Sequence, residues 1–169
     1  MAHGVVRTDK LAGTDNRAGI ISVRYQPSST ETAIDNGNVV EIAGLETGSR
    51  EVYVGNTPTA ESELKNIVLI ASPEVMYDDA KRSLEDFYNE AGKIARGYYL
   101  YTNNIFSVTK DALDGEASPS IGDVVELKAG TKLNVVKKTT GLTAGSTQVG
   151  TIIDINTVGR FTYYAIQVA

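Results

Sequence analysis

The side chains able to do chemistry in this 169-residue chain are mostly carboxylates. Glu41, Glu51, Glu61, Glu63, Asp123, Glu126 and Asp154 are candidates for a paired-carboxylate reaction of the glycosidase type. There one acid protonates the leaving group while its partner attacks or activates water. Most of them fall at polar positions of alternating strands or in loops, where solvation accounts for them. The chain also has no tryptophan to form a sugar platform. A Ser-His-Asp mechanism needs a histidine held rigidly, and the single histidine, His3, lies in a polar N-terminal stretch read as flexible. That one histidine also rules out a histidine-rich metal site, and the absence of cysteine rules out a thiolate site. Asp35, Asn36 and Asn38 offer oxygen ligands but lack the Asp-x-Asp-x-Asp-Gly calcium-loop pattern. Asn36-Gly37 reads better as a tight hairpin turn. No phosphate loop occurs, and no strand is followed by Gly-x-Gly-x-x-Gly. The residues therefore predict no catalytic site, no cofactor and no metal, in a protein that is not an enzyme.

Adhesion is the other chemistry on offer. Among the nine tyrosines, Tyr98, Tyr99 and Tyr101 crowd one segment, and Tyr163-Tyr164 lie near the C-terminus. Strand alternation places Tyr99 and Tyr101 on one face, with Tyr98 and Leu100 on the other. Such a strand is either covered on both faces or meets a partner on one, and tyrosine suits an interface because it buries area while keeping a polar tip. The formal net charge of −5 is unevenly spread. Residues 1–30 carry Arg7, Lys10, Arg17 and Arg24 against Asp9 and Asp15. Residues 31–90 carry thirteen acids against Arg50, Lys65, Lys81 and Arg82. Nucleic acid is not an expected partner, since phosphate neutralisation needs a basic surface. A mildly basic arm beside an acidic body suits a charged protein surface instead. The candidate interaction residues are His3, Arg7, Lys10, Arg17, Tyr99 and Tyr101.

Short strands and turns must position these groups. Residues 1–18 show no apolar periodicity and read as an extended arm, flexible unless a partner orders it. Ile21, Val23 and Tyr25 alternate with polar residues, as does the stretch 50–54, and Val39-Val40-Glu41-Ile42 follows the Asn-Gly turn. Residues 67–71 form a short continuous apolar run, expected of a strand buried on both faces. Met76, Ala80, Leu84, Phe87, Ala91 and Ile94 recur at steps of three and four, which predicts one amphipathic helix near 77–91, ended by Gly92. Strands are expected over 97–101, 105–109, 123–127, 132–136, 149–155 and 161–168, joined by turns rich in glycine and asparagine. The expected fold is mainly β, a β-rich α+β chain of small antiparallel barrel or sandwich units with one helix. Its parts are an arm (1–18), a β-rich lobe containing the helix (19–113) and a C-terminal antiparallel unit (114–169). Gly37-Asn38-Val39-Val40-Glu41-Ile42 is echoed by Gly122-Asp123-Val124-Val125-Glu126-Leu127, a weak sign of two related β units. The start, Met1-Ala2-His3-Gly4, has no apolar stretch of signal-peptide type, and no run is long enough to cross a bilayer. A soluble protein made in a reducing cytoplasm and not bound to membrane is expected.

The central segment resembles one found in small head proteins of tailed bacteriophages. The likeness is carried by Asp35-Asn36-Gly37-Asn38-Val39-Val40, Arg50-Glu51-Val52-Tyr53 and Thr57-Pro58. It continues in Pro73-Glu74-Val75-Met76-Tyr77-Asp78, Asp86-Phe87-Tyr88-Asn89-Glu90-Ala91-Gly92-Lys93, Arg96-Gly97-Tyr98-Tyr99-Leu100 and Ile105-Phe106-Ser107-Val108-Thr109. It spans about residues 34–113; Asn103-Asn104 departs from it, standing where the pattern has Gly-Asp. The resemblance implies decoration or stabilisation of the capsid, with the major capsid protein as partner, a place on the virion surface, and by analogy a homo-oligomer such as a trimer. The alternatives are a carbohydrate- or receptor-binding β module and a head-completion or tail-connector subunit.

Overall fold

A computed structural model describes residues 3–8, 19–77 and 83–169. The chain is mainly β, with twelve strands among the described residues and four 3-10 turns as the only helical pieces there. After the two-residue β1 (Val6–Arg7), five strands close a barrel: β2 (Ile20–Tyr25), β3 (Val39–Leu45), β4 (Val52–Asn56), β5 (Ile67–Ile70) and β6 (Ala95–Tyr99). Their order around it is β2-β4-β3-β5-β6. β2 and β4 run parallel; every other neighbouring pair is antiparallel.

Alternation decides what the barrel buries. Val23, Tyr25, Val40, Val68, Ile70 and Ala95 fill its interior with Ile34, and Ile21, Ile42 and Tyr99 pack against them. Gly55 and Gly97 make the closure possible. A Cβ on Gly55 would stand 2.9 Å from Val23 Cγ1 and 3.1 Å from Val40 Cγ2, and one on Gly97 would stand 2.9 Å from Val23 Cγ2. Gly55→Ala is therefore expected to overpack the barrel and cost about 2 kcal/mol, read as a lowered urea midpoint with an unchanged slope. β5 meets its expectation: all four residues are buried, Val68 and Ile70 facing the barrel and Ile67 and Leu69 facing the larger core.

The remaining strands are β7 (Ile105–Thr109), β8 (Leu113–Gly115), β9 (Val124–Glu126), β10 (Leu133–Val136), β11 (Gln148–Val158) and β12 (Phe161–Val168). With β1 they form a sheet ordered β1-β7-β12-β11-β9-β10-β8. β7 and β8 are one path bent by the 3-10 turn Lys110–Ala112. β7 pairs antiparallel with β12 and β8 pairs parallel with β10, the two roles that β2 alone fills in the barrel. Allowing for that bend, residues 20–99 and 105–168 trace the same path. The echoed sequence sits at the same place in each. Gly37 and Gly122 both take positive φ, at 84° and 92°. Gly37 N–H donates to Ile70 C=O and Gly122 N–H to Ile152 C=O, each at 2.8 Å. Glu41 then faces Asn56 across the next strand, as Glu126 faces Asn134. Fully buried Ile166 and Leu133 stand where the barrel has Gly97 and Gly55. The units therefore divide near residues 100–104, whereas the sequence reading grouped β7 and β8 with the first lobe. One core joins them: Val39, Ile67, Leu69 and Tyr98 of the barrel pack with Phe106, Val125, Leu133, Ile152 and Ile166.

Two local expectations are overturned. The stretch 83–91 holds no helix, only the 3-10 turn Leu84–Asp86, after which Phe87 is extended (φ −80°, ψ 134°); residues 78–82 lie outside the described part. Asn89 bridges to Ile34, each backbone N–H donating to the other's carbonyl at 2.9 Å, and this pairing requires extended chain. Nor is the Asn36-Gly37 turn a two-residue hairpin. Of that pair only Gly37 has positive φ, and the strands on either side, β2 and β3, pair with others.

The arm expected over residues 1–18 also begins as part of the fold. Val5 and Val6 are buried, and β1 pairs antiparallel with β7, Val6 facing Val108 and Arg7 facing Ser107. Two adjacent valines are too few to show periodicity in sequence, and the strand that buries them lies about a hundred positions away.

Candidate functional site

The carboxylates weighed for catalysis are spread apart in their roles. Asp123 and Glu126 are buried and used as local caps. Asp123 accepts from the Ser120 and Lys138 amides at 2.8 and 3.0 Å, and Glu126 accepts from Asn134 Nδ2 and the Thr143 amide, each at 2.8 Å. These bonds hold the turns beside β9. Glu41 accepts from Ser62 Oγ, while Glu51, Glu61, Glu63 and Asp154 are exposed. Asp35 bonds His3 Nδ1 at 2.9 Å. Asn36 and Asn38 are buried and donate to protein oxygens. No group of three or more potential metal ligands gathers among the described residues.

Two surface features carry exposed apolar side chains. The first is a groove between the segment that follows β5 and the segment that leads into β6. Ile20, Ile21, Pro73, Met76, Phe87 and Ile94 line it with Val75 and Tyr77. Ile20, Val75, Tyr77 and Ile94 are exposed although large and apolar, a concentration that ordinary surface does not carry. Both walls are tied from behind by Asn36. Its Oδ1 accepts from the Ser72 amide at 2.9 Å and from Asn89 Nδ2 at 3.1 Å; its Nδ2 donates to Ser72 C=O at 2.8 Å and Glu74 Oε1 at 3.2 Å. Asn89 also donates to Ile34 C=O at 3.1 Å. Asn36 thus links the two segments that wall the groove. His3 strengthens one wall, its ring stacked on Tyr88 at 5.0 Å and its amide donating to Glu85 C=O.

The second surface is one mouth of the barrel. Tyr99 and Gly97 share the inward face of β6, as Tyr53 and Gly55 share that of β4, and Leu45 faces Tyr53 across β3 and β4. Tyr101 joins them, its ring 6.5 Å from that of Tyr99. All three tyrosines are half-buried, and Leu45 is exposed. Burial, then the phenols of Tyr53 and Tyr101, push the Tyr99 phenol above its ordinary pKa. It therefore stays a hydrogen-bond donor where ordinary tyrosines begin to ionise, near pH 10. Above that range the unfolded chain releases this proton more readily, so folding loses stability as pH rises.

The residues singled out for interaction end in different places. Tyr99 and Tyr101 meet as the alternation requires, with Tyr98 and Leu100 buried on the other face. Tyr53 completes the cluster and was missed, since only closure of the barrel brings β4 near the end of β6. His3 faces Asp35 and Tyr88, and Arg7 lies over the Tyr163 ring at 5.1 Å. Lys10 and Arg17 lie outside the described residues. Compared with known family models, curated proteins and solved structures, the chain finds no match in any of the three.

Proposed function

We propose that this chain is a non-enzymatic structural protein that binds the outer surface of a phage capsid and decorates or stabilises it. Its partner is the major capsid protein, and its place is the virion surface after synthesis in the host cytoplasm. The observation that carries this reading is the preorganised apolar groove walled by residues 72–77 and 86–96, most of it within the stretch that resembles phage head proteins. Apolar side chains held open to solvent by a buried amide network suit a protein that works by shape and adhesion. On a shell with many equivalent sites, moderate affinity per contact suffices.

The test is cosedimentation of the purified chain with capsid shells of the phage that encodes it. Saturable binding in proportion to capsid protein is expected, and Val75→Glu with Ile94→Glu should weaken it about tenfold or more. No binding to shells would end the proposal. Binding at only a few copies per particle would favour a connector, and saturable glycan binding in its place a carbohydrate module.

A further inference from the structure

The buried tie behind the groove contains the only Asn-Gly pair in the sequence, Asn36-Gly37. An asparagine followed by glycine is open to attack by its own chain. Once hydroxide has taken its proton, the glycine amide nitrogen adds to the asparagine Cγ. Ammonia leaves and a five-membered succinimide forms. Water then opens the ring to aspartate, or to isoaspartate with the main chain rerouted through the side-chain carbon. In sum, amide and water become carboxylate and ammonium, with no other reactant. Glycine favours the reaction because no Cβ hinders the approach of its nitrogen.

The structure needs both residues at this place. Gly37 has a φ of 84°, and a Cβ on it would stand 2.8 Å from Ala112 Cβ. Asn36 accepts from the Ser72 amide and donates to the Ser72 carbonyl, which an amide does and a carboxylate cannot. In the second unit Ile121 precedes Gly122. The turn itself therefore does not need asparagine; the tie behind the groove does.

The native fold opposes the ring closure at both of its reacting groups. Gly37 N–H donates to Ile70 C=O at 2.8 Å, a bond that holds the proton due to leave. Asn36 is 1% exposed, its Oδ1 fixed by two donors and its Nδ2 by two acceptors. Two donors on Oδ1 also polarise Cγ, which by itself favours attack. Against that, ring closure abolishes three bonds by covalent necessity: both from Nδ2 and the one from Gly37 N–H. The Ser72 and Ile70 carbonyls are each left short of a donor. Three lost bonds outweigh the polarisation of one carbonyl.

We propose that Asn36 is a deamidation site that the native fold guards and that opening of the chain exposes. Conversion is one-way. The carboxylate produced would face Ser72 C=O and Glu74 Oε1, which lie 2.8 and 3.2 Å from the nitrogen it replaces. A chain that carries it does not rebuild the tie, so molecules left open are withdrawn irreversibly from the native population. None of this depends on what the groove binds.

Peptide mapping by mass spectrometry tests this on the full chain, held at mildly alkaline pH with and without urea. In urea, Asn36 is expected to convert ahead of every other asparagine. Without urea its conversion should be about tenfold slower or more, because only the open form reacts. Chains converted in urea should refold with a lowered urea midpoint, as should Asn36→Asp made directly. Asn89→Ala removes one donor from Asn36 Oδ1 and should speed conversion without urea; Val75→Glu, in the exposed groove wall, should not. The proposal is overturned if Asn36 converts no faster than the other asparagines in urea, or if converted chains regain the wild-type midpoint. It is equally overturned if folded and unfolded chains convert within about tenfold of each other, or if Asn89→Ala leaves the folded-state rate unchanged.

Discussion

Asn36→Ala is expected to destabilise the chain by about 4 kcal/mol, although it changes no apolar contact of the core. Asn36 is 1% exposed and bonds four groups on two other segments. A net hydrogen bond is worth about 1 kcal/mol, and each buried partner left unsatisfied costs a further 1–3 kcal/mol or so. Alanine removes the bonds and strands the Ser72 amide and carbonyl together. Asn36→Asp should not rescue the loss. It restores an acceptor for the Ser72 amide and Asn89, but sets a carboxylate against Ser72 C=O and Glu74. Urea denaturation of both variants checks the size, and under the proposed function shell binding should weaken along with stability because the groove walls lose their tie. A loss below about 1 kcal/mol for Asn36→Ala would mean that the network does not hold the groove.

Removal of residues 1–8 is expected to cost a similar amount, about 4 kcal/mol, and to leave a chain that unfolds at much lower denaturant. Burying a valine side chain fully is worth roughly 1.5–3 kcal/mol, and Val5 and Val6 are 3% and 9% exposed. The His3–Asp35 bond and the pairing with β7 add to this, while the ordering entropy of the short segment subtracts. Gly4 and Gly37 show how close the fit is. A Cβ on Gly37 would stand 2.8 Å from Ala112 Cβ, and one on Gly4 2.9 Å from Asn36 C=O. The segment thus joins the turn before β3 to the bend between β7 and β8, tying the two units together. Val6→Asp in the full chain provides the companion measurement, and unchanged stability in both would show the segment to be a dispensable arm.

These two effects fall where sequence reading was weakest. Leu84, Phe87 and Ala91 have helical spacing, yet Asn89 is drawn into an extended pairing with Ile34, fifty-five positions earlier. Long-range hydrogen bonds outweighed a local propensity worth a few tenths of a kcal/mol per residue. The valines of β1 carried no period at all. By contrast, the apolar run of β5, the opposed faces of Tyr98 and Tyr99, and the echo at Gly37 and Gly122 were readable in advance, because each depends on neighbours two to six positions apart.

The sequence by itself determined a mainly β chain, the sites of most of its strands, and the alternation that sends Tyr99 and Tyr101 to one face. Backbone sterics and the two-residue period of a strand act locally and need no partner to be read. Only the tertiary structure decided that β2 closes on β6, that β7 and β8 share the role of one strand, and that Tyr53 joins the other two rings. It also decided that Asn36, Ser72 and Asn89 meet behind the groove. Those are choices of partner among distant segments, set by which pairings bury Val23 and Ile152 while keeping the backbone hydrogen-bonded, and no window of neighbouring residues contains that comparison.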